Sequence, residues 1–240
     1  AGSSEMTARI IIYENESLKP GDSAFCQFRF PTPVALLAGD RYIIRRFSPL
    51  QTIGGGEVLD PSPKRRKKLG DIEEQNIFWE GSLGEKIAAK VHQKGIYGIA
   101  REELEGWIKA ELPDIKSAIE TLIKNGEARR CEDRLIHKDV FDDFSEGIRA
   151  SLKEFHLKNP LRPGMLKEEL RSSYSGADQR FFDGLLSLVK GITVDKDIVR
   201  SSAFNLSLSD DNKAVKDKIL KAIDEALFQP PAIEELAASV

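Results

Sequence analysis

The sequence is poor in the residues from which chemistry and covalent bracing are usually built. Its 240 residues include two cysteines, three histidines, two methionines and two tryptophans. Cys26 and Cys131 stand far apart with no Cys-x-x-Cys spacing, which argues against a disulfide framework and a thiolate zinc site and suits a reducing cytoplasm. His92, His137 and His156 have no partners at metal-ligand spacing, so solvated or hydrogen-bonded rings are expected instead of zinc ligands. Net charge is only −3 although 31% of residues are charged, so any nucleic-acid footprint must be a local patch. No apolar run approaches the roughly 18 residues that span a bilayer, and nothing resembles a signal peptide, so no membrane partner is expected. A Gly-x4-Gly-Lys-Ser/Thr phosphate loop is absent. The one Asn-Lys pair, Asn212-Lys213, runs into Ala214-Val215 and lacks the aspartate that reads guanine. Without a nucleophile–base pair, metal cluster or phosphate loop, the chain offers no catalytic residue and no cofactor site of its own.

What is present changes character near residue 61. Before it, Ala8–Tyr13, Ala24–Phe30 and Arg41–Phe47 are short runs rich in β-branched and aromatic residues. The turn sequences Lys19-Pro20-Gly21-Asp22 and Ala38-Gly39-Asp40 separate them, a spacing that suggests a small barrel or sandwich. Pro61-Ser62-Pro63-Lys64-Arg65-Arg66-Lys67-Lys68 cannot pack a core and reads as a basic linker. Beyond it the period becomes helical. Leu83–Val91, Glu103–Ala110 and Pro113–Asn125 carry apolar residues three and four apart, with Ile115, Ala118, Ile119, Leu122 and Ile123 on one face of the last. Pro113 fits a first turn and Gly126 a C-terminal cap. Two strand-like runs, Glu127–Cys131 and Arg134–His137, then meet at Glu132-Asp133. Three helices followed by a hairpin is the order of a winged helix.

The unit repeats. Glu102-Glu103-Leu104 returns as Glu168-Glu169-Leu170 and as Glu234-Glu235-Leu236, each 66 residues on from the last, and Gly98-Ile99 aligns with Gly164-Met165. In the second copy Phe144–Leu157 supplies the first helix. Phe181, Phe182, Leu185, Leu186 and Val189 form the third-helix face, and Ile192–Val194 with Ile198–Arg200 form the wing. A third copy begins with Lys213–Leu227 and reaches Val240 before a third helix, which reads as a truncated module. Self-similarity at a fixed period implies stacked domains. The repeated Glu-Glu pairs read as first-turn charges that favour the helix dipole, not as an acid–base pair.

The most specific stretch is Gly39-Asp40-Arg41-Tyr42-Ile43-Ile44-Arg45-Arg46 followed by Thr52-Ile53-Gly54-Gly55-Gly56-Glu57-Val58-Leu59-Asp60-Pro61. Three glycines entering a strand imply positive φ, a bulge or close approach of another backbone. With the arginine-bearing strand upstream, this segment resembles the third domain of translational GTPases such as elongation factor Tu. Followed by a basic stretch and tandem winged helices, it resembles the selenocysteine-specific branch of those factors, the SelB family. That resemblance implies a multidomain α+β chain: part of an elongation-factor-Tu-like domain III β-barrel, then tandem winged helices of three helices plus a β-wing. The corresponding boundaries are 1–6 for a tag or disordered start, 7–60 for the barrel portion and 61–75 for the basic linker. The winged helices then span 76–140 and 141–205, with a truncated third at 206–240. Arg45, Thr52, Gly54, Gly55 and Gly56 carry the barrel motif, whose role in the family is structural and on the side that holds aminoacyl-tRNA. The resemblance further implies a monomeric, cytoplasmic parent protein with a GTP- and magnesium-binding G domain that this chain lacks. Its partners would be selenocysteinyl-tRNA, the ribosome and the mRNA hairpin that marks a recoded UGA. The hairpin-reading surface would lie in a fourth winged helix that the chain does not reach.

Candidate RNA or ribosome contacts are few. Lys64, Arg65, Arg66, Lys67 and Lys68 form the only dense positive cluster, and they read either as phosphate contacts or as a solvated linker. In the third helices Asp114 and Glu120 balance Lys116 and Lys124, and Asp178 and Asp183 balance Arg180 and Lys190, which favours a spacer over a groove reader. Arg129, Arg130 and Arg134 in the first wing are the better phosphate candidates, diluted by Glu127, Glu132 and Asp133. Trp79 and Trp107 read as core or interface anchors, with an aromatic RNA platform as the alternative. Two other classes stay open: a tandem winged-helix regulator, which predicts basic third helices, and a scaffold that touches protein alone.

Overall fold

The structure is a computed structural model that describes residues 5–13, 17–63, 72–174, 176, 178–204, 217–221 and 223–224. The chain divides into two compact units, residues 1–143 and 144–240.

The first unit opens with two antiparallel pairs. β1 (Arg9–Ile12) pairs with β2 (Cys26–Arg29), Arg9 opposite Arg29 and Ile12 opposite Cys26. β3 (Arg41–Arg46) pairs with β4 (Gln51–Glu57) through Ile44 opposite Gly54 and Arg45 opposite Thr52. Ile53 is therefore the extra residue of a bulge, which bends the pair and increases its twist. Tyr42 ties the two pairs together: its ring meets Phe28 of β2 edge-on at 4.9 Å. Ile43, Phe47, Leu50 and Ile53 remain exposed, Phe47 almost fully at 94%.

α1 (Ile72–Glu80) follows and begins inside the stretch 61–75 read from sequence as linker. α2 (Leu83–Lys94) starts at a capping box. The Glu85 amide donates to Ser82 Oγ at 3.3 Å, and the Ser82 amide donates to Glu85 Oε2 at 2.7 Å, so two otherwise orphaned donors are satisfied reciprocally. After β5 (Ile99–Ala100), α3 (Arg101–Glu105) is shorter than the helix expected over Glu103–Ala110. The chain leaves the helix at Gly106 because Trp107 to Lys109 bond to another segment, described below. α4 (Leu112–Lys124), with a proline in its first turn, buries Ile115, Ile119 and Leu122 and half-buries Ala118 and Ile123, the face that periodicity marks. β6 (Ala128–Cys131) and β7 (Arg134–His137) form the wing, and β7 lies between β5 and β6.

α5 (Lys138–Lys158) carries the chain into the second unit, where the same order returns: β8 (Met165–Leu166), α6 (Lys167–Ser172), α7 (Gln179–Leu188), β9 (Ile192–Asp195) and β10 (Ile198–Ser201). Its sheet has the equivalent order, β10 lying between β8 and β9. Phe181, Phe182, Leu185 and Leu186 of α7 are buried with Leu170, Val199 and the α5 residues Phe144, Ile148 and Leu152. Glu102 and Glu103, like Glu168 and Glu169, occupy the first turns of their helices. The two wings turn alike, with positive φ at Glu132 and Lys196. The third Glu-Glu-Leu copy at 234–236 lies outside the described residues.

Candidate RNA-facing surfaces and the barrel motif

The triple glycine is explained by close approach, since none of Gly54, Gly55 and Gly56 has a positive φ. A Cβ on Gly55 would sit 2.7 Å from the Tyr42 carbonyl oxygen, and one on Gly56 would sit 2.5 Å from the Tyr42 hydroxyl. Both distances are shorter than real Cβ contacts allow: at Gly55 the obstacle is the backbone of β3, whereas at Gly56 it is the end of the Tyr42 side chain, which would have to shift. Gly54 is different: its nearest neighbour would be Ile44 Cδ1 at 4.0 Å. Burial raises the Tyr42 phenol to about 12, reinforced by the adjacent Cys26, so it stays a neutral hydrogen-bonding group. Arg45 faces outward from β3, with Glu5 Oε1 at 3.7 Å. Thr52 stands opposite it across the ladder.

Of the basic candidates, Lys64, Arg65, Arg66, Lys67 and Lys68 lie outside the described residues. The wing arginines are not equivalent. Arg129 stacks its guanidinium 4.7 Å from the Phe141 ring centroid, with Asp142 at 3.8 Å, so part of its capacity is used within the protein. Arg134 donates to the Tyr97 carbonyl at 3.0 Å and lies 4.0 Å from Asp133. Arg130 is exposed on the wing and has no ion pair among the described residues. The third helices present mixed charge: Asp114, Lys116, Glu120 and Lys124 are all exposed on α4. The cleft between the start of α2 and α4 is lined by Glu85, Asp114 and Glu127 together with Ser117, Thr121 and Asn125. Three carboxylates there repel phosphate, which disfavours groove reading by α4.

A cluster that sequence reading left without a role joins the end of the barrel segment to the first winged helix. Lys90 of α2 is buried and donates to both Asp60 carboxylate oxygens, at 3.0 and 2.9 Å, and to Gln93 Oε1 at 2.8 Å. Trp107 Nε1 donates to the same Asp60 at 3.1 Å, and the Lys90 ammonium sits 5.1 Å from the Trp107 ring centroid. Burial pushes the Lys90 ammonium down from its usual value, and Asp60 opposes that shift. Trp107, 5% exposed and edge-on to Phe78 at 5.6 Å, is thus an anchor and not a platform for bases; Trp79 remains half-exposed. Beside this hub the backbones meet directly. The Ala38 amide donates to the Trp107 carbonyl at 2.7 Å, and the Lys109 amide donates to the Ala38 carbonyl at 2.8 Å. The available sequence signal was Asp60 itself, an acid closing an apolar strand before a proline. Nothing local says what it pairs with.

Comparison with known proteins agrees with this arrangement. Residues 1–65 match a domain model described as the β-barrel domain of selenocysteine-specific elongation factor. Residues 149–190 match a winged helix of elongation factor SelB. A selenocysteine-specific elongation factor from Desulfomicrobium baculatum is 29% identical over 238 residues, which covers 96% of this chain and 38% of that protein. A crystal structure of a bacterial selenocysteine-specific elongation factor, EF-Sec, shares the fold with a TM-score of 0.58 at 15% identity, covering 98% of this chain and 40% of that one. The chain thus spans about two-fifths of the length of these relatives. Residues 1–65 and 149–190 are thus similar to the β-barrel domain and to a winged helix of selenocysteine-specific elongation factors, in the order in which the structure places a strand-rich segment and its second winged helix.

Proposed function

We propose that the protein to which this chain belongs delivers selenocysteinyl-tRNA to the ribosome, at UGA codons marked by an mRNA hairpin. The barrel portion (7–60) serves the tRNA side, and the winged helices (76–140 and 141–205) serve as an arm toward the hairpin-reading end. GTP and magnesium belong to a G domain outside this chain, and the setting is the cytoplasm. The observation that carries the reading is similarity to a selenocysteine-specific elongation factor across 96% of the chain. The mixed charge of α4 and the acidic cleft beside it support a spacer role for the first winged helix and weigh against a DNA-groove reader. Arg45, Thr52 and the glycines act structurally, and Arg130 with the basic cluster at 64–68 supplies at most diffuse phosphate attraction.

The test is a fluorescence-anisotropy titration of this chain with a selenocysteine-insertion hairpin and an unrelated hairpin, at low and near-physiological salt. Weak, sequence-blind binding that fades with salt is expected, because counterion release is its only source. Arg130→Ala should flatten the salt slope by about one unit without changing the fold. Tight, hairpin-selective binding that survives salt would overturn the arm reading and place recognition within these modules.

A further inference from the structure

We infer that Asp60 is a positioning residue that welds the barrel portion and the first winged helix into one body, so contacts across their shared core set the placement of one on the other. The inference deepens the proposed arm, but the geometry it concerns belongs to this chain alone.

Three kinds of contact make the weld. The first is a hydrogen-bonded turn. The Leu37 amide donates to Asp40 Oδ2 at 2.9 Å, the Gly39 amide donates to the Val58 carbonyl at 2.8 Å, and the Val58 amide donates to the Asp40 carbonyl at 2.8 Å. These bonds fix the 37–40 turn to the end of β4. The second is a parallel bridge between Ala38 and Ile108, by which that turn accepts the chain leaving α3. Lys109 Nζ adds an ion pair to Asp40 at 3.6 Å. The third is the Asp60 hub, where both charged side chains are about one-twentieth exposed, 5% for Lys90 and 6% for Asp60. A buried pair of this kind fixes geometry, because every displacement of one charge from the other leaves it unpaired in an apolar surrounding. Ala38 and Leu59 belong to the same apolar core as Ile87, Val91, Leu104 and Trp107.

The path of the chain gives the consequence. Asp60 is held by α2, and Phe78 of α1 packs on Trp107. The chain on both sides of residues 61–71 is therefore anchored on one core. A linker sets the distance between two domains only when each end belongs to a different one. Here the length of 61–71 is decoupled from the placement of the barrel, and any displacement of the first winged helix is passed to the barrel directly.

Spin-label distance measurement on this chain tests the inference. Labels go on Gln51→Cys and Glu120→Cys in a Cys26→Ser/Cys131→Ala background, with circular dichroism to verify folding. A single narrow distance is expected, unchanged when a Gly-Ser-Gly-Ser insertion is placed after Pro63. Asp60→Ala combined with Lys90→Met, which removes the tie without leaving a buried charge, should broaden or shift the distribution in a folded chain. A broad distribution in the starting chain, or a shift on insertion, would overturn the weld. A narrow, unshifted distribution in the folded Asp60→Ala/Lys90→Met chain would overturn the role of Asp60. None of these readouts involves RNA, so their failure is separable from failure of the arm reading.

Discussion

Replacing Asp60 with asparagine keeps the size of the side chain and removes its charge. Lys90, buried among Ile87, Val91 and Trp107, then holds an ammonium without a counter-charge. Breaking a buried ion pair by removing one partner costs roughly 3–5 kcal/mol. The lower end applies, because an asparagine carbonyl can still accept one of the bonds now made by Lys90 and Trp107, and Gln93 Oε1 stays 2.8 Å from the ammonium. About 3 kcal/mol is expected, equivalent to roughly 10 °C in the melting temperature of a unit of this size. Urea unfolding followed by tryptophan fluorescence reads the effect cleanly, since Trp79 and Trp107 are the only tryptophans and both lie in the first unit. Asp60→Asn together with Lys90→Met should lose less than Asp60→Asn alone, with a coupling of about 1–3 kcal/mol. The pH dependence has a definite sign. The folded Lys90 pKa already lies below 10.5, and losing Asp60 removes a cause that raises it. In the window below 10.5 the unfolded chain binds more protons at this site, so stability rises with pH. The deficit of the variant should therefore shrink between pH 7.5 and pH 10. A loss below about 1 kcal/mol, or a deficit that grows with pH over that range, would refute a desolvated, Asp60-compensated ammonium.

Three other outcomes follow from single contacts. Gly55→Ala should destabilise the first unit by about 1–3 kcal/mol in urea, since its Cβ meets the backbone oxygen of Tyr42, whereas Gly54→Ala, with only an ordinary contact to Ile44, should stay within about 0.5 kcal/mol. An ultraviolet titration should find one phenol ionising near 12; with the folded pKa raised, the stabilisation from neutral Tyr42 is complete below about 10 and is lost as pH climbs through 12. Tyr42→Phe should abolish that late step. In the second unit, His156 is stacked on Phe204 and accepts from the Ser201 amide at 3.3 Å, while its buried Nδ1 has no hydrogen-bond partner among the described residues. Burial and nearby Arg200 lower its pKa, so its stabilising contacts are complete above about 6.5 and fade as pH falls through the lowered value. Thermal melts of the second unit at pH 7.5 and pH 5 should differ in wild type and much less in His156→Phe.

The sequence alone determined the modules because their signals are periodic and local. The apolar faces of α4 and α7 repeat every three and four residues, Pro113 and Gly126 bracket α4, and the 66-residue recurrence of Glu-Glu-Leu announces a duplicated unit. The glycines of β4 were legible as a demand for space, though not as a demand made by Tyr42. Only the tertiary structure decided that α3 stops at Glu105, because the backbone of Trp107 and Lys109 bonds to Ala38, some 70 residues earlier in the chain. It alone distinguished Arg129, stacked on Phe141, from the exposed Arg130 beside it. It alone joined Asp60 to Lys90 and Trp107, separated by 30 and 47 residues. Helical faces and turns are written in neighbours along the chain, whereas a buried charge pair depends on which distant segment folding brings against it.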